Sequence, residues 1–124
     1  PFPTNAVMLK DGKPITTSLA VADAFDRAHA NVLRAIRDLK CSKEFRLCNF
    51  AESNYINEQG RSQPMVELTE DGWVMVVMGF TGAEAIAIKE RYIAEFNRMR
   101  AKLQELPSSL EEFLSSLFGK HGFQ

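Results

Sequence analysis

Two short helical periodicities with a polar break between them occupy Thr17 to Leu39, and they limit the folds open to this chain. The first, with Ser18 as its expected N-cap, carries an apolar set of Leu19, Val21, Ala22 and Phe25. Asp26-Arg27-Ala28 breaks it, because a short Asp side chain competes for backbone hydrogen bonds. The second repeats Val32, Leu33, Ile36 and Leu39 inward, which leaves Asn31, Arg34, Arg37 and Asp38 outward. Two helices joined this tightly have the layout of a helix-turn-helix, a unit that offers its second helix to the major groove of DNA.

Charge follows the same division. The 124 residues carry a net charge of −1, which counts against a strong nonspecific binder of nucleic acid. Between Asp26 and Arg46, however, six basic residues face three acids, while Glu52 to Asp71 holds five acids and Arg61 alone as a cation. The basic segment coincides with the second helix of the pair. Solvated helix charge is the competing reading of such a run.

Length predicts one domain with a real core. A hydrophobic content of 45% and a charged content of 25% exclude disordered and fibrous classes. No apolar run approaches the roughly 20 residues of a membrane span, and no charged-then-apolar leader opens the sequence, so a soluble intracellular protein is expected. Cys41 and Cys48 lack any zinc-type spacing and read as reduced thiols, leaving no metal or cofactor to expect.

Beyond the helix pair, residues 6–16 read as a hairpin turning at Asp11-Gly12. A polar connection at 40–52 is expected to plug the core with Phe45, Leu47 and Phe50. A second hairpin at 53–68 turns at Asn57 to Gly60, with Pro64 assigned to an edge strand. Thr69 starts a helix whose Trp73 to Met78 run is apolar on all sides and expected to be buried. Thr81 caps a long helix from about Gly82 to Glu105, with a stripe of Ile86, Ile93, Phe96, Leu103 and Leu106 and with Tyr92 and Met99 beside it. After Pro107 a last amphipathic helix presents Leu110, Phe113, Leu114, Leu117 and Phe118, a face expected either to form a homodimer or to fold back on its own core.

With that order in view, the sequence resembles the phage regulatory protein Rha family. The resemblance rests on TTS ending at Ser18, the VADAF run, H-x-NVLR-x-I from His29, Asn49-Phe50, Tyr55, and QGR from Gln59. It continues through Pro64-Met65, LTEDGW from Leu68, MGFTG from Met78 and KERYIAEFN from Lys89. Asp26 stands where a small turn residue, usually Gly, is expected, and Val66 where an aromatic is common. The resemblance implies a phage-encoded regulator in the bacterial cytoplasm, with no enzymatic activity established for its family.

The expected fold is therefore α+β: a winged helix-turn-helix-like domain over 5–100 with two β-hairpins, then a C-terminal helical extension over 101–124. Asn31, Arg34 and Arg37 are the candidate base readers, since Asn suits adenine and Arg suits guanine in the major groove. Arg27, His29, Lys40 and the wing residue Arg61 are the candidate phosphate contacts on double-stranded DNA. His29 has no neighbouring nucleophile or carboxylate set to suggest catalysis, and Glu67, Glu70 and Asp71 fit a strand and a helix first turn better than a metal site. The rival class is a protein-interaction module, antirepressor-like, acting on a host or phage regulator through the acidic 52–71 region or the terminal apolar helix.

Overall fold

The computed structural model describes residues 2–104 and Leu114. Among the described residues the chain is α+β, with a four-stranded antiparallel sheet and the five helices named below. Strand β1 (Met8–Lys10) turns through Asp11 and Gly12 into β2 (Lys13–Thr17). Both turn residues have positive φ, +50° and +77°, as a two-residue hairpin turn of this hand requires. Helices α1 (Ser18–Ala24), α2 (His29–Arg37) and α3 (Lys43–Asn49) follow, then the hairpin β3 (Phe50–Ile56) and β4 (Ser62–Thr69). Helices α4 (Glu70–Val77) and α5 (Ala83–Gln104) complete the described elements. None of the described helices is long and apolar enough to cross a membrane.

The sheet order is β1-β2-β4-β3, so β4 is a central strand rather than the edge strand expected from Pro64. Its halves differ. Glu67 and Leu68 pair with β2 and β3 at once and Thr69 with β2, whereas 62–66 pair with β3 alone. Pro64 shares the parity of Val66, whose N–H points away from β3 toward Ser18. Its missing N–H therefore falls on the side where no neighbouring strand lies, and no ladder bond is lost.

Cap chemistry sets the helix starts. Thr17, not Ser18, is the N-cap of α1, accepting from Ala20 N–H at 3.1 Å; Ser18 is wholly buried inside the first turn. Asp26 sits at φ +54°, which accounts for Gly being the residue expected there and for the break between α1 and α2. Ser42 caps α3 and Thr69 caps α4 through Gly72 N–H. Gly72 is required for a second reason: a Cβ on it would meet Asn49 O at 2.8 Å.

One core cluster joins Val21, Val32, Ile36 and Leu68 to Trp73, Tyr92 and Phe96. Trp73 lies 4.9 Å from the Tyr92 ring and 5.6 Å from Phe96, and Phe25 meets Phe80 edge-on at 5.1 Å. The Thr16 hydroxyl donates to Ala6 O at 2.6 Å and so accepts from the Tyr92 hydroxyl at 2.9 Å. This choice of Tyr92 and Phe96 fixes the face of α5, and the expected stripe shifts accordingly. Ile86 and Ile93 are exposed, while Ala85, Tyr92, Phe96 and Met99 are buried. Two further expectations fail for the same reason, that only one side of each short helix meets the core. Leu47 is 83% exposed on α3, and Val74 of α4 and Met78 just after it are exposed beside buried Trp73, Val76 and Val77. Gly82, at φ +104°, directly precedes α5. Leu110, Phe113, Leu117 and Phe118 lie outside the described residues; Leu114 is helical and exposed.

Candidate nucleic-acid interface

Helix α2 buries Val32 and Ile36 and turns Asn31, Arg34 and Arg37 to solvent. Arg34 Nη1 donates to Asn31 Oδ1 at 2.9 Å, so the two side chains form one linked donor–acceptor pair on the open face. Lys40, just past the helix, is also exposed. Arg27 precedes the helix on the α1–α2 turn, where its guanidinium lies 3.9 Å from the centre of the Phe80 ring, tying it to the loop between α4 and α5. Arg61 closes the β3–β4 loop. Its N–H donates to Asn57 Oδ1 and its carbonyl accepts from Asn57 N–H, both at 2.9 Å, leaving the side chain exposed.

The first turn of α2 is pinned by Ser18 and His29 acting together, a pairing the sequence did not show. Ser18 Oγ accepts from Val66 N–H at 2.9 Å and bonds His29 Nε2 at 2.8 Å. His29 in turn meets the Tyr55 ring edge-on at 5.7 Å. One buried hydroxyl thus connects α1, α2 and β4, with Tyr55 of β3 behind the imidazole. Burial lowers the His29 pKa below its usual 6.5, so the neutral ring is favoured. His29 Nε2 is occupied by Ser18 in this arrangement.

The far end of α2 is held by Arg46 of α3. Its Nη1 donates to Ile36 O at 3.1 Å and its Nη2 to Leu39 O at 2.7 Å, a cation placed on one carbonyl of the last turn and one just past it. α3 is anchored to α4 in its turn: Thr69 Oγ1 donates to Asn49 Oδ1 at 2.6 Å, and Asn49 Nδ2 donates to Phe45 O at 2.9 Å. Ser18, Asn49 and Thr69 all belong to the motifs that carry the family resemblance, which was the available signal for them. Arg46 had none. Cys41 and Cys48 are free, with Cys48 exposed.

Fold and face together define the class: an α+β protein that displays a basic helix, clamped at both ends, beside a β-hairpin. More narrowly, residues 16–101 match the family described as phage regulatory protein Rha, and the chain belongs to that family. It is 42% identical to a 22.8 kDa protein from the gp15-gp3 intergenic region of Salmonella phage P22, covering 85% of this chain and 54% of that protein. A protein of Haemophilus influenzae is 36% identical over 86% of this chain and 64% of its own length. The SPbeta prophage-derived, antirepressor-like protein YoqD of Bacillus subtilis is 30% identical over 87% of this chain and 45% of its own. The chain thus spans about half to two thirds of the length of these relatives. No solved structure matches it.

Proposed function

We propose that this protein is a phage or prophage regulator that binds double-stranded DNA sequence-specifically, in the bacterial cytoplasm and without enzymatic chemistry. In this reading α1 and α2 are a helix-turn-helix and the β3–β4 hairpin is its wing. The helix pair is inserted between β2 and β3, and the order β2-β4-β3 sets the hairpin beside it. The observation that carries the proposal is the face of α2: Asn31, Arg34 and Arg37 are exposed on a helix whose inner face is buried and whose two ends are hydrogen-bonded. A rigid helix with Asn and Arg outward has the donors and acceptors that discriminate base edges. Arg27, Lys40 and Arg61 supply phosphate contacts, and His29 supports the helix start.

The test is fluorescence polarisation with DNA from the parent phage's regulatory region and with scrambled duplex, at low and high salt. Specific binding that falls with salt is expected, because phosphate contacts release counterions. Arg34→Ala weakens it by about 1–3 kcal/mol, the range for one good base contact. Absence of binding by the folded protein at either salt overturns the reading.

The relation to antirepressor-like YoqD favours a second reading, a protein-interaction module acting on a host or phage regulator. Its signature in the same assay is no DNA binding, with a protein partner retained at high salt.

A further inference from the structure

A cleft of about 600 Å³ lies between α2, α3 and the β3–β4 hairpin, and the proposed DNA face leaves it unexplained. Leu33, Ile36, Phe50, Met65 and Val66 make it largely apolar, and Leu47, 83% exposed, stands at its lip. Arg37 and Arg46 bring positive charge to the lining against the single acid Glu52. A volume of that size accepts an aromatic and an aliphatic side chain together.

Helix α5 delivers the chain to this neighbourhood. Arg100 pairs with Glu70 and lines the same surface recess as Cys48 and Asn49 of α3, the helix that forms one wall of the cleft. Gln104 follows Arg100 by about one helical turn, roughly 6 Å. The next residues to carry a pattern are 108–118, SSLEEFLSSLF, where Leu110, Phe113, Leu114 and Leu117 fall at helical spacing with Glu111 and Glu112 between them. The five residues from 105 to 109 span at most about 18 Å when extended, more than the roughly 10 Å length of α3.

We propose that the cleft is the docking site for residues 108–118 of the same chain, with Phe113 and Leu117 as apolar anchors and Glu111 and Glu112 facing Arg37 and Lys40. Apolar lining and basic rim select such a segment over a neutral or basic one. Leu114, helical and 42% exposed, is not one of the anchors. Arg37 belongs to the cleft and to the outer face of α2, so the docked segment sets carboxylates where a phosphate would lie and competes with DNA. That consequence rests on the proposed DNA reading; the docking itself does not.

The experiment is methyl-methionine NMR on the full chain, since Met65 lines the cleft while Met8 and Met99 lie elsewhere. Joint Phe113→Ser and Leu117→Ser substitution is expected to move the Met65 methyl signal and leave Met8 and Met99 in place. Leu47→Asp, on an exposed position, is expected to do the same from the other side. Dilution is expected to leave the wild-type signal unmoved. If the closed form holds nine-tenths of the molecules, the double variant binds DNA about tenfold more tightly. A Met65 signal indifferent to the joint Phe113→Ser and Leu117→Ser substitution overturns the proposal, whatever Leu47→Asp does at the lip it shares with Met65. One that shifts on dilution also overturns it, assigning the cleft to the segment of a second copy and the terminal face to a homodimer. A responsive Met65 with no DNA binding supports the docking and sinks the DNA reading alone.

Discussion

The two ends of the molecule are held by different physics. Around α4 and α5, Trp73, Tyr92, Phe96, Phe25 and Phe80 interlock, and stability comes from apolar area removed from water. Around α2, the fixing groups are a hydroxyl, an imidazole and a guanidinium, each bonded at 2.7–3.1 Å to a named partner. Burial is strong but non-directional; hydrogen bonds are weaker but fix an angle. The aromatic end therefore decides whether the chain folds, and the polar end decides how α2 is presented relative to the hairpin. Substitutions at the two ends separate these roles.

The largest effect belongs to the aromatic end. Phe96→Ala, at a wholly buried site, is expected to cost about 3–5 kcal/mol in urea denaturation. The fraction that remains folded should bind DNA as wild type does, and a changed affinity in that fraction would break the division. Gly72→Ala comes next, at about 1–3 kcal/mol, because its methyl group overlaps Asn49 O where α4 meets α3. A denaturation midpoint equal to wild type would show that the junction gives way freely.

Ser18→Ala tests the polar end. It leaves Val66 N–H unpaired and His29 without its partner, a cost of about 1–3 kcal/mol. Unlike Phe96→Ala, it is expected to weaken DNA binding by the folded protein, because it releases the angle between α2 and β4. Equal affinity for wild type and Ser18→Ala would mean that the hydroxyl is only a stabilising group.

The smallest effect is a pH dependence. Burial depresses the His29 pKa in the folded state, so the unfolded chain takes up its proton first as pH falls past 6.5. Stability is full above that value and declines as pH drops toward the folded pKa. His29→Gln should flatten the melting temperature across this window. Glu95, whose carboxyl Arg98 holds below its usual 4.5, loses its contribution only at lower pH, so the two losses are separable. A slope near neutrality that persists in His29→Gln would exclude His29 as its source.

What the sequence disclosed followed the range of the interaction concerned. The Asp11-Gly12 turn, the Thr69 cap and the apolar face of α2 depend on residues a few positions apart, and each is legible in the local pattern. The N-cap of α1 was displaced by one because Thr17 and Ser18 carry the same hydroxyl chemistry, and only the hydrogen bond distinguishes them. The face of α5 was not legible. Ile86 and Ile93 have the right spacing for a core stripe, but Thr16, 76 residues away from Tyr92, selects the other side. The Ser18–Val66 bond, spanning 48 residues, escaped for the same reason. Within the candidate site, Asn31, Arg34 and Arg37 could be placed from periodicity, whereas Ser18 and Arg46, which hold their helix, could not.

The division of β4 into a doubly paired root and a singly paired outer half gives the hairpin a mechanical character. From Ser62 to Val66 it is a two-stranded arm roughly 15 Å long, anchored where Val66 meets Ser18. The arm is a lever, Arg61 near its free end and Val66 its fulcrum. A push at the tip therefore reaches the first turn of α2 through the Ser18 hydroxyl and the Tyr55 ring, the two hairpin contacts that meet His29.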